Sequence, residues 1–297
     1  MKNLVYYTLN SNYNEVLKIS LLSLRKYYHG DVLIMSDENN IQKLKLLLDD
    51  KNIFFMTVKS DPLFFAASNK FLIYKYENIE KYDKVLYLDC DTVVVNDINY
   101  LFKEKMLENK FLVTPYTQSY GYTFMYCDWH GGTLFEDVFK QKIIKKFKKY
   151  QIGEYDPIKN NDKTLAINSG IFCFKVTDIN LKIFDEMYNH CIFDYNHNKR
   201  NFCLEQPYLN YHLHESNLHH YYNFILNDNE VNLSEIYKYY VVHVLSGIGA
   251  SVMKVNKMKI ILEFIKDKKF DIPNIQYRID NTSNQTNKEL LIYENKK

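Results

Sequence analysis

Lys84-Val85-Leu86-Tyr87-Leu88-Asp89-Cys90-Asp91-Thr92-Val93-Val94-Val95 is the stretch on which the reading of this chain turns. An apolar run, Val85–Leu88, leads into two carboxylates one residue apart, and a second apolar run, Val93–Val95, follows. Short runs rich in β-branched residues read as buried strand. A buried carboxylate is costly unless a positive group meets it. In an extended segment alternate side chains share a face, which points Asp89 and Asp91 the same way. Two hard oxygen donors side by side suit a divalent cation that also binds phosphate oxygens. The same pattern also fits a turn that begins at Asp89 and leaves Asp91 solvated.

Upstream, the chain alternates. Lys2–Thr8 reads as a strand. Glu15–Tyr28 carries Val16, Leu17, Leu21, Leu24 and Tyr28 at helical spacing, with Gly30 as its stop. Asp31–Met35 and Asn52–Val58 read as strands around a helix at Ile41–Leu48, and Ser68 is placed to cap a helix over Asn69–Ile79. Strand and helix in alternation predict a parallel sheet with right-handed crossovers. Ligands of such sheets sit beyond the carboxyl ends of the strands. Thr8–Asn12 and Asp89–Asp91 both lie at such ends.

Downstream, Asp97–Phe102 reads as a short helix and Phe111–Pro115 as a strand. Residues 117–163 are irregular and are read as an insertion on the acceptor side. Leu165–Val176 is apolar except for Asn168-Ser169-Gly170, a polar break that suggests a bulge or the close approach of a ligand. Helices are expected over Thr177–His190, Glu205–His214 and Lys257–Lys268, and a last strand over Tyr237–Val244. Residues 280–297 are polar and read as a loose tail.

The totals narrow the function classes. The chain has 297 residues, 46% hydrophobic and 25% charged, which is ordinary globular composition for one domain over 1–270. A formal charge of +2 gives no electrostatic footprint for nucleic acid. No window approaches the ~18 apolar residues that a membrane span needs. The 27 tyrosines and 19 phenylalanines read chiefly as coding bias, although aromatic faces also suit sugars and bases. Five scattered cysteines without paired spacing read as reduced thiols, and with no signal-peptide pattern the expected compartment is the cytoplasm.

With these pieces in place the chain resembles the glycosyltransferases of family 8, the glycogenin-like group, over roughly Leu4 to Lys254. Six ordered segments carry the resemblance: Thr8-Leu9-Asn10-Ser11-Asn12, Ser68-Asn69-Lys70-Phe71, Tyr82–Thr92, Asn168-Ser169-Gly170-Ile171-Phe172, Glu205-Gln206-Pro207-Tyr208-Leu209-Asn210, and His243 followed by Gly247 and Lys254. The resemblance implies a GT-A fold, a Rossmann-like α/β domain with a mixed sheet flanked by helices. It implies a retaining transfer of a hexose or related sugar from a UDP-sugar to a carbohydrate or protein hydroxyl, and it admits a homodimer. Two departures stand out. Glu205 occupies a position where the family usually has Asp, and the spacing from His243 to Gly247 and Lys254 is longer than usual.

By the same resemblance Asp89, Asp91 and His243 hold Mn²⁺ or Mg²⁺. Thr8, Leu9, Ser11 and Asn12 line the nucleotide, and Cys90 passes its backbone close to the ribose. Lys70 and Lys254, taken as exposed, neutralise phosphate, and Gly247 and Gly249 border it. Asn168 and Ser169, with Glu205 and Gln206, meet the hydroxyls of the donor sugar, and Glu205 is the carboxylate nearest the anomeric carbon. Two other readings compete. Asp89-Cys-Asp91-Thr-Val93 also fits the nucleophile loop of haloacid-dehalogenase-type phosphatases, with Asp89 attacking phosphate, and an inactive family member would bind a nucleotide-sugar without turnover.

Overall fold

The computed structural model of the chain describes residues 2–60, 63–115, 167–196, 205–222, 225–227, 236, 238–244 and 252–267. The expected insertion over 117–163, Gly247, Gly249 and the tail over 280–297 lie outside these residues. In chain order the first elements are β1 (Lys2–Thr8), α1 (Asn14–Arg25), β2 (Asp31–Ser36), α2 (Glu38–Leu47), β3 (Ile53–Thr57), α3 (Leu63–Ser68), β4 (Tyr82–Leu88) and β5 (Thr92–Val94). Then follow β6 (Phe111–Pro115), β7 (Ile167–Lys175), α4 (Asp178–Asn196), α5 (Gln206–Glu215), β8 (His219–Tyr221), β9 (Ile225–Asn227), β10 (Val241–His243) and α6 (Val252–Asp267). They group into two compact units: Met1–Asn10 with Gly30–Leu88 and Leu101–Asn223, and Ser11–His29 with Asp89–Tyr100 and Phe224–Lys297.

The first unit is built on a seven-stranded sheet in the order β3-β2-β1-β4-β7-β6-β8. β3, β2, β1 and β4 run parallel, as the strand–helix alternation predicts, while β7 lies antiparallel to both β4 and β6. The sheet is therefore mixed. β1 pairs on both edges and is covered on both faces, so Leu4, Val5, Tyr6 and Tyr7 can all be apolar, and all are buried. β3 is one of the two edge strands and carries the exposed Phe54. Much of the aromatic content fills this unit's core. Tyr87 stacks on Phe172 with centroids 5.0 Å apart, and Phe174 packs on Phe184 at 4.7 Å. Such pairs add specificity to ordinary area burial.

α2 begins where Asp37 accepts the Asn40 N–H at 3.0 Å, an N-cap that satisfies one of the helix's orphan donors. The helix expected over Asn69–Ile79 is corrected. α3 starts earlier, at Leu63, and gives way to a 3₁₀ turn over Asn69–Lys75. Ser68 is buried inside this segment and donates back to the Phe65 carbonyl at 3.4 Å, so it does not cap.

The second unit has a three-stranded sheet, β5-β10-β9. α1 turns Val16, Leu17, Ile19, Leu21 and Leu24 inward. Two serines on the same face lock it to β5. Ser20 Oγ lies 3.2 Å from Thr92 Oγ1, and Ser23 Oγ donates to the Ser20 carbonyl at 2.7 Å while accepting the Val94 N–H at 2.8 Å. α6 packs along α1, with Lys259 3.3 Å from Glu15. It begins at Val252, five residues before the expected Lys257. The strand expected over Tyr237–Val244 is trimmed to Val241–His243. Among the described residues no helix is long and apolar enough to cross a membrane.

Candidate active site

The carboxylates of the opening stretch fall between two strands. β4 ends at Leu88, Cys90 and Asp91 make a turn, and β5 starts at Thr92. This corrects the expectation of one extended strand whose pleat aligns Asp89 with Asp91. The turn is fixed from both sides: Thr92 Oγ1 donates to the Asp89 carbonyl at 2.8 Å, and the Val244 N–H donates to the Asp91 carbonyl at 2.8 Å. β10 runs antiparallel to β5 in a register that sets His243 opposite Thr92. His243 Nε2 thereby lies 3.2 Å from Asp91 Oδ1 and 3.8 Å from Asp89 Oδ2. One ligand atom from each of the three lies within 4.8 Å of the others. A tight turn and a neighbouring strand, rather than a pleat, bring the donors together.

Lys254, on the first turn of α6, reaches the other oxygen of Asp91 at 2.5 Å. It is 4% exposed, so the expectation of an exposed lysine is corrected: a buried ammonium persists because a carboxylate meets it. Burial by itself would raise the Asp91 carboxyl, but the Lys254 ammonium and the His243 ring outweigh it and hold the group well below the usual carboxylate range. Burial would lower the His243 imidazole, yet Asp91 and, more weakly, Asp89 raise it above its ordinary value. His243 Nδ1 is buried and has no hydrogen-bond partner among the described residues. Two carboxylates and an imidazole are a donor set that fits Mn²⁺ or Mg²⁺ better than a soft metal.

Tyr13 is a residue that the sequence reading missed. Burial, followed by the charges of Asp91, Cys90 and Asp89, pushes its phenol up to about 12. It ends the 3₁₀ turn Ser11–Tyr13, in which Ser11 and Asn12 are exposed. The signal was an aromatic directly after the polar loop, hidden by the abundance of tyrosine. Cys90 is buried.

The first unit holds a second polar cluster. Lys70 Nζ lies 2.6 Å from Glu205 Oε1, donates to the Ser169 carbonyl at 3.0 Å, and sits 4.5 Å from the centre of the Tyr87 ring. Lys70 is 1% exposed, so it too departs from the expected exposed lysine. Ser169 Oγ donates to Glu205 Oε1 at 2.9 Å and lies 3.2 Å from Gln206 Oε1, which also accepts the Ser169 N–H at 3.0 Å. The polar break in β7 is a bulge: Val113 pairs with Phe172 and Thr114 with Asn168, leaving Ser169, Gly170 and Ile171 extra on one strand. Asn168 Oδ1 accepts the Gly170 N–H at 2.7 Å and steadies it.

Asn210 ties α5 to the start of β7. Its side chain accepts the Ile167 N–H at 2.7 Å and donates to the Ile167 carbonyl at 3.0 Å. Tyr6 OH donates to the Lys70 carbonyl at 2.8 Å, and Thr8 Oγ1 lies 3.2 Å from Tyr87 OH. Leu9 is buried, and its backbone is bonded to Met35 and Ser36. The structure thus groups Lys70, Asn168, Ser169, Glu205 and Gln206 in one unit, and Asp89, Asp91, His243 and Lys254 in the other.

The sequence model described as glycosyl transferase family 8 matches residues 4–248. Solved structures that share the fold include the following two. One is WbbM, a bifunctional glycosyltransferase in its apo form, at TM-score 0.54 and 13% identity, covering 89% of this chain and 51% of that one. The other is an active-site mutant of LgtC, at TM-score 0.52 and 15% identity, covering 88% of this chain and 95% of that one. The chain thus spans about half the length of WbbM. Comparison with curated proteins finds no match. At these identities the structural likeness speaks for the GT-A fold alone.

Proposed function

The chain belongs to glycosyl transferase family 8, and from that premise we propose that it is a metal-dependent, retaining transferase that moves a hexose from a UDP-sugar to a hydroxyl of a carbohydrate or protein. Glycosyl transfer follows from the family; the donor, the metal and the acceptor class are the proposal. Asp89, Asp91 and His243 would hold Mn²⁺ or Mg²⁺. The cation supplies Lewis-acid stabilisation of charge on a departing diphosphate. Lys254 adds a positive charge against the same phosphates. The half-buried ring of Tyr13 offers a flat face to a base, beside the polar Ser11 and Asn12.

Glu205, Gln206, Asn168 and Ser169 are assigned to the hydroxyls of the donor sugar. Buried polar groups set to meet hydroxyls discriminate strongly, because a substrate lacking one leaves them unpaired. Lys70 is already engaged with Glu205, so its role here is to hold that carboxylate in place rather than to meet phosphate. Glu205 then positions the sugar or stabilises positive character at its anomeric carbon.

The observation that carries this reading is the convergence of Asp89, Asp91 and His243 from a turn and a separate strand. A panel of UDP-sugars with Mn²⁺, scored by release of UDP, tests it. One or more donors should be hydrolysed slowly, and Asp91→Asn should abolish release while leaving the fold intact. Release that is indifferent to Mn²⁺ and to Asp91→Asn would remove the proposal.

A further inference from the structure

Asp91 is shared between two nitrogen partners. Its Oδ1 faces His243 Nε2 at 3.2 Å, and its Oδ2 faces the Lys254 ammonium at 2.5 Å. All three side chains are shielded: Lys254 and His243 are 4% exposed, and the Asp91 side chain 14%. In such a place water screens charge poorly, and like charges on one carboxylate oppose each other strongly. With a neutral imidazole the group carries two carboxylates and one ammonium, a net charge of minus one. A divalent cation turns this to plus one, an excess that an anionic diphosphate then offsets.

Resting on the metal assignment above, we infer that Lys254 is a tethered competitor of the cation, holding metal affinity low until a nucleoside diphosphate arrives. Metal alone must share Asp91 with an ammonium that cannot diffuse away. A diphosphate meets both charges at once, so the metal and the nucleotide bind cooperatively, each raising the affinity for the other by the same factor. The cation would not be held tightly in the absence of substrate.

The test is Mn²⁺ binding to the whole chain, read from the EPR signal of free Mn²⁺ with and without UDP. Lys254→Gln should bind Mn²⁺ alone about tenfold more tightly than wild type, and the enhancement by UDP should shrink by a similar factor. Lys254→Arg, which keeps the charge, should behave as wild type, and circular dichroism checks that each variant folds. A Lys254→Gln protein that binds Mn²⁺ alone equally or more weakly would overturn the inference and make Lys254 a support for Asp91. A separate failure is recognisable: if Asp91→Asn leaves Mn²⁺ binding unchanged, the metal site itself is wrong and the inference falls with it.

Discussion

Lys70 Nζ and Glu205 Oε1 stand 2.6 Å apart although 135 residues separate them in sequence, and neither side chain is more than 6% exposed. The pair joins the 3₁₀ turn at Asn69–Lys75 to the residue just before α5, with the β7 bulge as a third partner through Ser169. A buried ion pair is weak as a source of stability but costly to break on one side.

Lys70→Met therefore leaves Glu205 buried without its cation. Urea unfolding should show a loss of about 3–5 kcal/mol. Lys70→Met combined with Glu205→Leu should recover much of that loss while still abolishing activity. A double-variant loss equal to the sum of the Lys70→Met and Glu205→Leu losses would mean that the pair is not coupled.

In α1, Ser23 accepts the buried Val94 N–H. Ser23→Ala should cost about 1–3 kcal/mol, because a backbone donor is left unsatisfied away from water. The unfolding midpoint in urea reads the effect. Ser23→Thr, which keeps the hydroxyl, should cost less.

The raised pKa of His243 sets opposite signs for two pH dependences. In the metal-free protein the imidazolium is favoured by Asp91 and Asp89. That stability is complete below the unfolded-state pKa and is lost as pH rises through the higher folded-state value. A cation needs the unprotonated nitrogen, so metal affinity should instead rise with pH over the same window, by about one decade per unit below the folded-state pKa. Mn²⁺ titrations at several pH values, with His243→Gln as reference, check the slope.

The legible parts of the chain were those where one periodicity dominated. Lys2–Thr8 reads as strand because it is flanked by two strands and buried on both faces. The polar interruption at Asn168–Gly170 shows a bulge because nothing else breaks so apolar a run. The carboxylates and His243 were legible as donors, but their geometry was not: an apolar–polar–apolar pattern does not distinguish a pleat from a turn between strands of two sheets. The burial of Lys70 and Lys254 was hidden because each depends on a partner distant in sequence. β8 and β9 are three-residue strands held by their neighbours, too short for any period to show.

The most direct test of the central claim is a crystal soaked with Mn²⁺ and UDP, with anomalous scattering used to locate the metal. The account predicts one strong manganese peak bonded to Asp89, Asp91 and His243, with the diphosphate as a further ligand. A manganese site elsewhere, or UDP bound away from those three residues, would contradict it.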